Sequence, residues 1–193
     1  MRKYFVEIGT CDFDTLVPLA ENGWSGIFVE PICAYLDSLP RYANVIYENS
    51  VIGNIDSKIP FVYYDPSLAD YIGDDWVKGV GTTSLDINHF FSNPQWKSYE
   101  RRIVVNSLTL DSLFNKHNVC SVDFMKVDVE GSEFDIFKNY SWNLKPTMLK
   151  VETRHWEGKE QYHNISIEIP MLEMLKSNGY VVWKESSDLY AIR

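Results

Sequence analysis

Tyr4-Phe5-Val6-Glu7-Ile8-Gly9-Thr10 is an apolar run interrupted once by an acid and ended by a glycine and a hydroxyl. A run of this kind reads as a strand covered on both faces, as inside a parallel sheet. The pattern recurs downstream. Leu16, Val17, Leu19 and Ala20 fall at helical spacing behind Asp12-Phe13-Asp14-Thr15, whose side chains suit a cap, and Asn22-Gly23 closes that helix. Ile27-Phe28-Val29 is a second buried run ending at Glu30-Pro31. Tyr35, Leu36 and Leu39 suggest a second helix, and Val45-Ile46-Tyr47 a third strand. Strand and helix thus alternate about every 20 residues, the pattern that builds a parallel sheet through right-handed crossovers.

The rest of the chain extends this sheet. Ile59 to Tyr64 reads as one strand of an antiparallel hairpin, Ile103-Val104-Val105 as a further strand, and Leu110 to Lys116 as a helix. Val122 to Val129 is a strand that breaks at Gly131 and feeds a helix carrying Phe134, Ile136 and Phe137. Thr147 to Val151 is another buried strand, ending at Glu152. Ile169 to Asn178 is an amphipathic helix stopped by Gly179, and Tyr180–Trp183 with Leu189–Ile192 forms a closing hairpin. The expectation is a seven-stranded, mostly parallel sheet that ends in an antiparallel hairpin, with helices on both faces. With no repeat or linker in sight, residues 1–193 are expected to form a single domain. Residues 66–100 mix Gly, Asp, Asn, Pro, Trp and Tyr without a period, and an irregular stretch that long reads as a substrate loop or lid.

Composition excludes several classes of function. The formal charge is −9, and it is concentrated: residues 1–96 carry 13 Asp/Glu against 5 Lys/Arg, residues 97–193 carry 14 against 13. That balance disfavours nucleic acid as a partner and suits a cationic or hydroxyl-bearing ligand. No apolar run approaches the roughly 18 residues of a membrane span, so no membrane association is expected. Glu7, Asp12 and Asp14 interrupt what a signal peptide would keep apolar, which points to the cytoplasm. Cys11, Cys33 and Cys120 form no CxxC or zinc spacing and read as reduced thiols.

Ligands of an open parallel sheet bind beyond the carboxyl ends of its strands, where the strand order reverses. Glu7, Glu30, Asp128 and Glu152 all sit at or beside such ends. The first turn, Gly9 to Asp14, holds one glycine where a dinucleotide fingerprint has three, so a ligand without a pyrophosphate fits better. Glu30 lies 21 residues after Gly9, where an acid can accept hydrogen bonds from both ribose hydroxyls. An exposed carboxylate at a strand–loop junction is the other reading of Glu30, and spacing does not choose between them. Glu7 lies inside an apolar strand, and a charge buried there must be paired.

In order along the chain, Val6-Glu7-Ile8-Gly9-Thr10, Phe28-Val29-Glu30-Pro31, Leu108 to Leu113, Phe124-Met125-Lys126-Val127-Asp128-Val129-Glu130-Gly131-Ser132-Glu133 and Lys150-Val151-Glu152 resemble the FkbM family of S-adenosylmethionine-dependent methyltransferases. The resemblance covers almost the whole chain and implies a Rossmann-like class I methyltransferase. It implies S-adenosylmethionine as cofactor and S-adenosylhomocysteine as product. The cofactor contacts it implies are Glu7, Gly9, Thr10 and Asp14 around the methionine part, Glu30 with Pro31 at the ribose, Asn49, Ser50 and Val51 beside the adenine, and Asp128 with Glu130 near the methyl group. The chain departs from the family in Cys11-Asp12-Phe13, where smaller residues are usual, and in reaching its first strand without preceding helices. The open site expected from that start is the ground for expecting a homodimer.

Methyl transfer to an alcohol needs alignment and removal of a proton. Asp128, Glu152 and His155 are the catalytic candidates, with Glu130 beside them. Asp128 with Glu152 has the chemistry to hold Mg²⁺, or Asp128 and Glu130 cap the following helix and neutralise Lys126 or Lys150; no metal is predicted. The acceptor expected is a hydroxyl on a sugar, glycan or small natural product. Transfer to an amine or a protein side chain, and an inactive cofactor-binding interaction module, are the alternatives.

Overall fold

In the computed structural model, the described residues are 2–13, 15–83, 91, 93–153 and 168–193. Eleven strands and six α-helices follow the order β1 Tyr4–Ile8, α1 Val17–Glu21, β2 Ser25–Val29, α2 Cys33–Ser38, β3 Val45–Glu48, β4 Val51–Ile52, β5 Ser57–Tyr64, α3 Ser67–Ile72, β6 Gly81–Thr82, β7 Glu100–Leu108, α4 Leu110–Lys116, β8 Phe124–Val127, α5 Glu133–Lys138, β9 Met148–Glu152, α6 Glu168–Ser177, β10 Val181–Glu185 and β11 Asp188–Ile192.

The larger sheet has seven strands in the order β10-β11-β9-β8-β1-β2-β3. It is a mixed sheet, parallel through five strands and antiparallel at the closing hairpin. β3, β2, β1, β8 and β9 pair in parallel, whereas β11 pairs antiparallel with both β9 and β10. Strand alternation explains why both faces are covered. Val6, Ile8, Ile27, Val29, Met125 and Val127 face a core built with α4, α5 and α6. Phe5 and Phe28 point the other way, into a smaller core with Ala20 of α1 and Leu36 of α2. Fully burying such side chains contributes roughly 1.5–3 kcal/mol each.

A second sheet, ordered β4-β7-β5-β6, was not legible as such. β5 and β7 pair antiparallel along their whole length, Ser57 opposite Ser107 through Tyr64 opposite Glu100. The strands read at Ile59–Tyr64 and Ile103–Val105 are therefore partners across a long connection. The connection itself is partly regular: α3, two 3-10 turns (Asp75–Lys78 and Pro94–Tyr99) and β6 surround a small core of Val62, Tyr64, Leu68, Val77 and Phe91. The opposite face of this sheet packs Val51, Phe61 and Val105 against Cys11, Ile32 and Tyr35. It thereby roofs the carboxyl ends of β1 and β2.

Two motifs have structural work. Thr109 caps α4 by accepting from the Ser112 N–H, and Asp111 accepts from Ser141. The first helix receives side-chain acceptors at its start: Thr15 Oγ1 accepts the Val17 N–H at 3.3 Å, from within the stretch expected to cap it, and Glu7 Oε2 accepts the Leu16 N–H at 2.8 Å. No helix among the described residues is long and apolar enough to cross a membrane.

Candidate active site

The chain leaves β1 for one edge of the sheet through β2 and β3, then returns to place β8 on the other side of β1. The switch in strand order thus falls between β1 and β8, and Gly9 and Asp128 meet there. A Cβ on Gly9 would lie 1.7 Å from the Asp128 carbonyl oxygen, and Gly9 has φ +79°. Only glycine satisfies both conditions. The turn then runs back over β2: the Gly9 and Thr10 N–H groups donate to the Val29 carbonyl.

Glu30 is buried at the end of β2. Its Oε2 accepts the Cys11 N–H at 2.9 Å and its Oε1 accepts the Ile32 N–H at 2.8 Å. Each oxygen keeps a second lone pair for a ligand. Burial pushes this carboxyl up to about 7, against the pull of the two backbone donors and with a push from Asp12. Asn49 fixes the next turn over, its amide donating to the Glu30 and Pro31 carbonyls at 2.9 Å. Ser50, Val51 and Ile52 follow, all buried.

On the β8 side, Lys126 is 3% exposed. Its ammonium lies 3.4 Å from Glu7 Oε1 and 3.7 Å from Asp128 Oδ2. This pairing is what allows Glu7 to be charged inside the core. Burial raises the Asp128 carboxyl above the usual range, opposed by Lys126 and by a hydrogen bond with Glu152. Glu133 is fully buried and reaches back to accept the Val129 and Gly131 N–H groups at 2.9 and 3.1 Å. Between them Glu130 adopts φ +58°, a conformation rare outside glycine. Asp128, Glu130 and Glu152 offer carboxylate oxygens within 4.8 Å of one another, a spacing a divalent cation could bridge.

These groups surround a cavity of about 430 Å³. Its floor is the carboxyl edge of the larger sheet and its roof comes from the second sheet, through Ile59, Phe61, Thr82 and Ser107. Of the sequence candidates, Gly9, Thr10, Glu30, Pro31, Ser50, Val51, Asp128 and Glu130 line this cavity. Glu7, Asn49 and Glu152 stand behind the lining, holding Leu16, the Glu30–Pro31 turn and Asp128 respectively. Asp14 and His155 fall outside the described residues. Residues missed in the sequence are Lys126, whose place between two acidic strand ends hinted at pairing, and the roof residues, which carry no motif. Lys78 and Gly79 of the irregular stretch also line the cavity, and Lys78 bridges Asp12 at 3.4 Å and Asp75 at 2.9 Å.

A family model for the methyltransferase FkbM domain matches residues 6–182. The chain belongs to the FkbM methyltransferase family. The FkbM match runs through the Gly9 turn, the whole second sheet and the Asp128–Glu133 loop, so the second sheet lies within the FkbM domain and is no appendage to it. Among curated proteins, none matches this chain.

Proposed function

We propose that this methyltransferase uses S-adenosylmethionine and transfers its methyl group to a hydroxyl of a sugar, glycan or small natural product. The observation that carries the reading is the cavity at the β1/β8 switch, where Gly9, Glu30 and Asp128 converge. A buried carboxylate with lone pairs left over, lining this cavity one strand from the switch, fits an adenosyl ligand. The bound cofactor would supply an electrophilic methyl on a cationic sulfur whose leaving thioether is neutral.

The chain's own groups then have separable tasks. Glu30 accepts from the ribose hydroxyls while Cys11 and Ile32 hold it still. The acidic lining of Asp128 and Glu130 favours a cationic centre, and Lys126 limits their mutual repulsion. Asp128 is the proton acceptor for the attacking hydroxyl. Its raised affinity for protons, caused chiefly by burial, brings it closer to the working pH than an exposed carboxylate. Glu152 positions Asp128 through their hydrogen bond. The roof and the 75–83 stretch exclude water.

Calorimetric titration with S-adenosylmethionine, S-adenosylhomocysteine and NAD⁺ tests the cofactor, with Glu30→Ala as control. Micromolar binding of the first two, no binding of NAD⁺ and loss in the variant are expected. Binding of none of the three would favour an interaction module.

A further inference from the structure

Two aromatic rings line the cavity among the described residues: Phe61, buried in the roof, and Phe13, which is 40% exposed at the rim. Phe13 stands in the turn that leaves β1. Its ring edge at Cζ and the Oε1 oxygen of Glu130 both lie within 3.7 Å of one point, the position that a Cβ on Gly79 would take. Ser132 and Asp135, which follow Glu130 in the chain, also line the cavity, and the Ser132 hydroxyl makes no capping bond to its helix. A bare aromatic face in water forgoes the gain of burial. Beside hydroxyl and carboxylate groups, such a face fits a ligand that is apolar on its flat side and carries hydroxyls at its edge.

The charges around Phe13 exclude one class of acceptor. Lys78 and Lys126 are the cations that line the cavity among the described residues. Each is already matched to two carboxylates. Lys78 lies 3.4 Å from Asp12 and 2.9 Å from Asp75, and Lys126 lies 3.4 Å from Glu7 and 3.7 Å from Asp128. A phosphate or carboxylate on the acceptor could pair with a lysine only by opening one of these ion pairs, and it would meet the carboxylates of Glu130 and Asp135 as well. We propose that Phe13 selects the methyl acceptor: its ring packs on the C–H face of a hydroxyl-bearing ring without negative charge, and the acidic rim turns away analogues that carry carboxylate or phosphate. This rests on the methyltransferase reading above, and it assigns Phe13 to the acceptor and not to the cofactor.

The test is saturation-transfer NMR on the full chain in complex with S-adenosylhomocysteine. The probes are the methyl glycosides of glucose, galactose and mannose, and the methyl glycosides of the corresponding uronic acids. Saturation should reach the ring C–H protons of at least one neutral glycoside, and its matching uronate should respond at least about fivefold less. Phe13→Ala should weaken the neutral response about three- to tenfold, the loss expected for one aromatic contact, and Phe13→Tyr should restore it to within about twofold. Calorimetry should give both variants an S-adenosylhomocysteine affinity within about twofold of the parent, which a collapsed turn would not allow. No response from any neutral ring, an equal response from the uronates, or an unchanged response in Phe13→Ala overturns the inference and leaves the cofactor reading standing. Loss of S-adenosylhomocysteine binding in Phe13→Ala overturns it as well, by placing the ring against the cofactor. A parent chain that binds S-adenosylhomocysteine not at all defeats the cofactor reading itself.

Discussion

At the scale of single residues, the site rests on two groups for which no other residue serves. Gly9→Ala places a methyl group inside the Asp128 carbonyl at a positive φ, so β1 and β8 must separate where they meet. We expect a loss of at least about 2 kcal/mol in urea unfolding and no measurable S-adenosylhomocysteine binding. Glu30 gives a pH signature. Its folded carboxyl titrates at about 7, above the ordinary 4.5, so between those values the native state holds a proton that the unfolded chain has released. Stability therefore falls as pH rises through that window, by an amount on the order of 3 kcal/mol once Glu30 is fully ionised. On the function proposed above, ligand affinity should run the opposite way, because the ionised form would accept from the ribose. Affinity should be flat above pH 8 and fall by up to about tenfold per unit below 7. In Glu30→Gln the part of both profiles that Glu30 contributes should vanish, with a weaker ligand complex, because the amide keeps one acceptor for two backbone donors. A parent affinity that does not change between pH 6 and 8 contradicts this assignment.

Elements hold these residues through backbone contacts that sequence patterns convey unevenly. The Asp128–Glu133 loop keeps Glu130 in a left-handed conformation because Glu133 accepts two N–H groups from within it. Glu133→Ala leaves those donors without their acceptor and should lower stability by about 1–3 kcal/mol while weakening cofactor binding. Glu133→Gln, which retains one acceptor, should fall between the two in the same urea titration. In the sequence, β1, β2, β3 and β8 were legible because both their faces are apolar and each ends at a turn residue. Gly9 and Glu30 were singled out because they stand at strand ends, and both line the cavity. The capping of α1 was legible only in part: Thr15 accepts the Val17 N–H, but the Leu16 N–H goes to Glu7, a contact across the fold that no local pattern records. The second sheet escaped for a related reason. The 35 residues between Tyr64 and Glu100 separate β5 from β7, so β5 read as half of a hairpin with no identified partner and β7 as a further strand. The closing hairpin was legible, but not that β11 inserts between β9 and β10 and so makes both antiparallel pairings.

For the whole molecule, the question is how a roofed cavity admits its ligands. The two sheets are joined at the mouth by Lys78, whose ammonium bridges Asp75 on its own turn and Asp12 on the first turn of the larger sheet. Gly79 sits so close to Glu130 that an added Cβ would lie 3.3 Å from its Oε1. The turn must therefore shift for anything to pass between Phe13 and Glu130. Half-exposed ion pairs of this sort contribute little, about 0.2–1 kcal/mol, and are screened by salt. Lys78→Gln should accordingly raise the dissociation rate of S-adenosylhomocysteine by about two- to fivefold in stopped-flow tryptophan fluorescence, with a smaller change in melting temperature. Adding salt should speed release from the parent chain toward the variant's rate and affect the variant less. A second consequence links the mouth to Glu30. Asp12 already pushes the Glu30 carboxyl upward, and Lys78 partly neutralises Asp12. Removing the lysine charge should shift the midpoint of the affinity profile to higher pH, whereas Asp12→Asn should shift it lower and speed release as Lys78→Gln does. Opposite midpoint shifts with the same kinetic change separate a latch from general loosening of the fold. Release that is insensitive to salt, with both variants matching the parent, would mean that the cavity opens elsewhere along its rim.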